Sequence, residues 1–173
     1  MDGIDITRYL ILDRGALEVG LPENWEVQPE WDRQVGAIIV KDPNDSIQLD
    51  VVCWPTGLPD GLTVERFLMS VTADGLKLVR GPESGSRGDL RYTWVEDVYE
   101  AADEHRGDEV RTAHCRWYLC TNGRVTGQVR YFYWDDDASW ALPTWEAIIE
   151  TVHLGSGIPL ASPFHHWSMK APD

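Results

Sequence analysis

Two runs of strand-forming residues, EVRTAHCRWYLC (109–120) and VTGQVRYFYW (125–134), flank the tetrapeptide Thr121-Asn122-Gly123-Arg124. Asn-Gly between two such runs is the strongest short hairpin signal, because a type I′ turn needs positive φ at both central residues. An antiparallel sheet built around this hairpin is therefore the first expectation. With Asn122 and Gly123 as the turn, Thr121 faces Arg124, and counting outward sets Cys120 opposite Val125, Tyr118 opposite Gly127, Arg116 opposite Val129 and His114 opposite Tyr131. The other face carries Leu119, Trp117, Cys115 and Ala113 beside Thr126, Gln128, Arg130 and Phe132. Aromatic and apolar groups occur on both faces, which predicts a sheet covered on both sides.

The remaining chain reads as more sheet with two helices. Tyr9–Leu12 and Ala16–Leu21 flank Asp13-Arg14-Gly15 as a hairpin, and VGAIIVKD (35–42) pairs with SIQLDVVCW (46–54) across Pro43-Asn44-Asp45. In the latter run Ile47, Leu49, Val51 and Cys53 alternate onto one face, a core face. Thr63 reads as the cap of a helix whose stripe is Val64, Phe67, Leu68 and Val71, stopped at Asp74-Gly75. LKLVR (76–80) predicts a short strand, GPESGSRGD (81–89) a flexible loop, and LRYTWVEDVYEAA a strand ending before a turn at Arg106-Gly107. A closing helix is expected over about Leu142–Leu154, with Pro143 in its first turn and Trp145, Ile148, Ile149 and Val152 inward. Residues 156–173 form a C-terminal tail that wraps the domain if Phe164 and Trp167 dock and frays if they do not.

Charge and cysteines restrict the function classes. The 15 Lys and Arg stand against 29 Asp and Glu, a formal charge of -14, which disfavours nucleic acid and anionic membrane as partners. The acids concentrate in residues 96–109 and in Asp135, Asp136 and Asp137. Three cysteines, Cys53, Cys115 and Cys120, lack paired spacing and read as reduced, buried thiols. The N-terminal apolar run Tyr9–Leu12 is too short for a secretory or spanning segment, so a cytoplasmic protein is expected.

The run Leu17, Val19, Leu21, Pro22 and Trp25, followed by two hairpin-like strands, the helix TVERFLMSV, long central strands and the helix WEAIIETVHL, resembles the PsbP-like family. That family includes the extrinsic photosystem oxygen-evolution proteins, a Ran-binding nuclear import factor and many bacterial proteins of unassigned role. The resemblance covers about residues 9–155 and implies an α/β/α domain over 1–155, with binding as the class tendency. The fold class expected is α+β: a single-domain sandwich with a mostly antiparallel sheet of about six strands and helices packed on both faces.

Candidate sites fail on geometry. His114 and Cys115 are adjacent on a strand, so they point to opposite faces and do not form a nucleophile–base pair. Asp135, Asp137, Ser139 and Glu146 stand at EF-hand positions 1, 3, 5 and 12, but the glycine position holds Trp140 and Pro143 stiffens the loop, so calcium is not expected. These acids are better read as capping the closing helix. His165-His166 lacks the fixed geometry of a metal site. No catalytic residue, metal or cofactor is assigned.

Nine tryptophans accompany the acids, several near Tyr131–Trp134 and Trp140. Most are expected in the core, and the remainder suit a contact groove. The expected function is a non-enzymatic protein-binding module, adaptor, chaperone-like or inhibitor-like, with a protein partner, a basic one suiting the charge. Its expected surface is Asp97, Glu100, Asp103, Glu104, Tyr133, Trp134, Asp136 and Trp140. The alternative is a small-molecule-binding protein or unrecognised hydrolase with a pocket between sheet and helix, and a structural role in an assembly is a third.

Overall fold

The central hairpin is strand β8 (Glu109–Thr121) paired with β9 (Thr126–Trp134) in a computed structural model that describes residues 4–28, 36–59, 61–73, 75–156 and 167–171. Its register differs from the expected one by two residues: Thr121 lies opposite Thr126, Tyr118 opposite Val129, Arg116 opposite Tyr131 and His114 opposite Tyr133. The cause is the Asn122 side chain. Its Oδ1 accepts the Arg124 and Val125 amides at 3.1 and 3.0 Å, while only Gly123 takes positive φ, 88°. A type I′ turn is therefore replaced by a longer loop held by an Asx contact. An even shift keeps every side chain on its expected face.

Seven strands form the large sheet in the order β3-β4-β5-β9-β8-β7-β6. These are β3 (Glu26–Val27), β4 (Ile38–Lys41), β5 (Ile47–Trp54), β6 (Lys77–Arg87) and β7 (Leu90–Asp103) with the central pair, all antiparallel. A second, four-stranded sheet has the order β10-β2-β1-β11, from β1 (Ile6–Leu12), β2 (Leu17–Pro22), β10 (His153–Leu154) and β11 (Trp167–Lys170). Trp167–Lys170, at the end of the tail, thus adds a strand beside β1. Two helices complete the described elements, α1 (Val64–Thr72) and α2 (Ala138–Thr151).

The expected single sheet layered by helices on both faces is corrected accordingly. One face of the large sheet is covered by the small sheet and α2. Leu10, Leu12, Leu17, Val19 and Leu21 bury there with Ile47, Leu49, Val51, Tyr118, Tyr131, Trp145 and Ile148. Contact between α2 and β2 is close enough to need glycine, since a Cβ on Gly20 would lie 2.7 Å from Ile6 and Thr151, and the Gly20 amide donates to Thr151 Oγ1. On the other face α1, nine residues long, covers only part: Val64 and Leu68 bury against Val95 and Leu119. The Thr63 cap forms as expected, its hydroxyl accepting the Arg66 amide at 3.2 Å.

Two further expectations are corrected. GPESGSR is strand, not loop, because β6 is an exposed edge that pairs with β7 through bulges, and edges tolerate Gly and Pro where central strands do not. Helix α2 begins four residues earlier than Leu142, leaving Pro143 inside it. Asp135–Asp137 form a short 3₁₀ turn before it and make no side-chain cap bond to the helix.

Candidate functional site

Alternate residues of β7, β8 and β9 build two different environments. On the covered face, Glu96 of β7 lies opposite Arg116 of β8. Its Oε2 accepts Arg116 Nε at 2.9 Å, and its Oε1 accepts the Tyr133 hydroxyl at 2.6 Å and meets His114 Nδ1 at 2.8 Å. His114 stacks on Tyr133 and places Nε2 3.1 Å from Asp135 Oδ1. The Arg116 guanidinium sits between Trp94 and Trp145, 5.1 and 5.5 Å from their ring centroids. Burial pushes the Glu96 carboxyl up, but the Tyr133 hydrogen bond, the Arg116 charge and the His114 contact outweigh it and hold the group below the ordinary carboxylate range. Burial also drives the Tyr133 phenol far up, so it does not ionise readily, and the other side chains it joins are Glu96, His114 and Arg116. It is a packed polar joint between the sheet and the segment entering α2.

The other face is open beyond the reach of α1, a helix of nine residues and about 14 Å. There Tyr99, Ala113 and Trp134 lie directly across β7, β8 and β9, and Phe132 occupies the next row opposite Cys115 and Gln48. The β4–β5 turn and the 3₁₀ turn Glu104–Arg106 stand over this row as two rims, joined where His105 Nε2 meets the Asp45 carboxylate. Between them runs a groove of about 340 Å³ lined by Tyr99, Phe132, Trp134, Asp45, Asp103 and Glu104, among others. Tyr99 is 40% exposed, a large ring left uncovered on a sheet face.

Arg111 anchors one end of this groove. Its guanidinium lies 4.5 Å over the Trp134 ring, donates to Asp103 and Asp136, and stands 3.5 Å from Asp137. The Arg111 hydrogen bond holds the Asp136 carboxyl below its ordinary range. For Asp103 burial acts upward, but Arg111 and the His105 amide prevail and the group is also held low. The three aspartates expected to cap α2 therefore serve basic groups on β8 instead: Asp135 meets His114, and Asp136 and Asp137 meet Arg111.

Of the eight surface residues expected from the sequence, Asp103, Glu104 and Trp134 line this one groove and Asp136 joins it through Arg111, whereas Tyr133 borders it along its strand while its ring lies on the covered face with Glu96 and His114. The other three lie elsewhere. Asp97 is buried and accepts Trp117 Nε1 at 2.8 Å; Glu100 points to the covered side of the ladder and accepts Thr112 Oγ1; Trp140 packs against the main core. Tyr99 and Phe132 were missing from that set. Strand alternation places Tyr99 on the same face as Asp97, which was the available signal.

Cys115 and His114 occupy opposite faces, and burial pushes the Cys115 thiol well up. All three cysteines are buried and unpaired. Among the described residues no three His, Cys, Asp or Glu side chains converge as metal ligands, and His165 and His166 lie outside the described residues.

The model of the Alr1449 family matches residues 8–158. No curated protein matches the chain in sequence. Among solved structures, cyanobacterial PsbP (CyanoP) from Synechocystis sp. PCC 6803 superposes with a TM-score of 0.60 at 14% identity, over 87% of this chain and 94% of that one. A protein of Bacteroides thetaiotaomicron VPI-5482 gives 0.55 at 10% identity over 90% of this chain, which spans half of its length. LpqN, involved in cell envelope biogenesis of Mycobacterium tuberculosis, gives 0.50 at 14% identity over 80% of this chain and 82% of its own. Identities this low carry the fold and nothing finer. By its sequence over residues 8–158 the chain belongs to the Alr1449 family, and by its architecture it has the PsbP-like fold.

Proposed function

We propose that this chain is a non-enzymatic protein-binding module that docks a basic partner on the open half-face of its large sheet. The observation that carries this reading is the groove over Tyr99, Phe132 and Trp134 with Asp45, Asp103 and Glu104 at its rim. Aromatic rings supply contact area at low entropic cost, and a chain of formal charge -14 steers a cationic partner toward it. A cytoplasmic home belongs to the same proposal, supported by three buried, unpaired cysteines. Immobilised full-length chain is expected to capture a basic protein at low salt and to release it at high salt. Capture of no protein under either condition would sink the proposal.

A small ligand in the same groove is the second reading, favoured by its volume of about 340 Å³, which falls near the lower end of ligand sites. Saturable binding of an uncharged sugar or aromatic probe, with no protein captured, would favour it.

A further inference from the structure

One three-part arrangement recurs on the open face of the large sheet. Arg130 lies over Trp117 and Phe132, 5.4 and 5.8 Å from their centroids, and donates to Asp50 at 2.6 Å. Arg111 lies 4.5 Å over Trp134 and is shared between Asp103 and Asp136. Each set combines an aromatic plane, a guanidinium and a carboxylate, the pairing that suits a planar, weakly hydrated cation. The groove contains a third plane and a third carboxylate. Tyr99 is 40% exposed and Glu104 stands exposed on the rim; among the described residues no guanidinium lies over the Tyr99 ring, which feels Arg130 only as a nearby charge, and no ion pair holds Glu104. Burial drives the Tyr99 phenol up to about 12, so its ring remains neutral at physiological pH.

We propose that an arginine side chain of a protein partner completes this third set, laying its guanidinium on the Tyr99 ring and pairing with Glu104. This rests on the binding-module reading and narrows it to one kind of side chain. Phe132 and Trp134 already carry the chain's own guanidinium groups, which leaves Tyr99 as the acceptor plane. Arginine is preferred over lysine because a planar fork stacks and pairs at once, whereas an ammonium holds its hydration shell.

The test uses the full chain and the peptide acetyl-Gly-Arg-Gly-amide at low salt, followed through the Trp134 indole N–H resonance. Saturable movement of that resonance is expected, with the lysine peptide weaker and the glutamine peptide inactive. Tyr99→Leu and Glu104→Gln should each weaken the arginine peptide roughly two- to fivefold, the size of one exposed cation–π or ion-pair contact. Equal binding of the glutamine peptide, or unchanged titrations in both variants with the Trp145 resonance confirming the fold, would overturn the arginine seat. If Tyr99→Leu captures the basic partner at low salt as fully as the wild type does, the seat is wrong while the module reading stands. If the peptide titrates as expected but wild-type chain captures no protein at either salt, the module reading fails instead.

Discussion

The two faces of β7, β8 and β9 use neighbouring residues of the same strands to opposite ends. On one face Glu96, His114, Arg116 and Tyr133 are sealed under α2 and the small sheet, and every charge there meets a counter-charge. On the other, Tyr99, Phe132 and Trp134 are left where no helix reaches, and the acids crowd the rim. The difference teaches that charge on a strand has two meanings. Under cover it must be paired and so becomes structural; at the margin of the uncovered face Asp45 and Asp103 are likewise held by His105 and Arg111, and Glu104 is the exposed rim acid that faces contact.

The largest expected effect breaks the covered face. Glu96→Ala leaves the Arg116 guanidinium, 2% exposed, without its hydrogen-bonded carboxylate and is expected to cost about 3–5 kcal/mol. Chemical denaturation would read this as a lower midpoint at unchanged slope. The double replacement Glu96→Leu with Arg116→Met should recover most of the loss, because it removes both buried charges together; no recovery would mean that the pair is not the source.

Asn122 supports both faces, since it sets the hairpin register for all of β8 and β9. Its side chain accepts two amides and donates to the Gly155 carbonyl at 3.0 Å, so Asn122→Ala is expected to cost about 1–2 kcal/mol. A loss below about 0.3 kcal/mol in thermal unfolding would show that main-chain geometry alone holds the loop.

Acid distinguishes the faces further. Glu96, Asp103 and Asp136 all titrate below their ordinary values in the native state. In that window the unfolded chain binds more protons, so these groups contribute stability at neutral pH that declines below about pH 4.5 and is lost as pH falls through their native values. Arg111→Met removes the leading cause for Asp103 and Asp136, leaving the His105 amide and Arg106, and does not touch Glu96. The acid limb of a stability–pH curve should flatten in this variant without vanishing, and an identical limb would contradict the assignment.

The smallest expected change in stability belongs to the open face. Tyr99→Leu is expected to move unfolding by no more than about 0.5 kcal/mol, as for other surface positions, while diminishing binding. A larger loss would place Tyr99 among the structural residues.

Much of this arrangement was legible in the residues, and what was not has identifiable physical causes. Alternation along Ile47, Leu49, Val51 and Cys53 placed a core face correctly because burial on one side imposes period two. The Asn-Gly signal located the hairpin but misplaced its register, since the Asn122 side chain competes with the type I′ turn that the dipeptide also favours. β6 was hidden by Gly81, Pro82 and Gly85, whose local preference is overridden by pairing with β7. The Glu96–Arg116 pair, 20 residues apart, emerges only when β7 is laid against β8 in register. Asp103, Glu104 and Trp134 of the groove were legible from acids and aromatics alone; Tyr99 and Phe132 became recognisable once the length of α1 showed which half of the face stays uncovered.

The contrast between the faces is tested most directly by salt-sensitive capture of the basic partner on three immobilised chains: wild type, Tyr99→Leu, and Glu96→Leu with Arg116→Met. Capture is expected to fall in the Tyr99 variant, with its unfolding midpoint unchanged, and to persist in the double variant. Full capture by Tyr99→Leu together with loss in the double variant would place binding on the covered face and contradict the division of roles between the two.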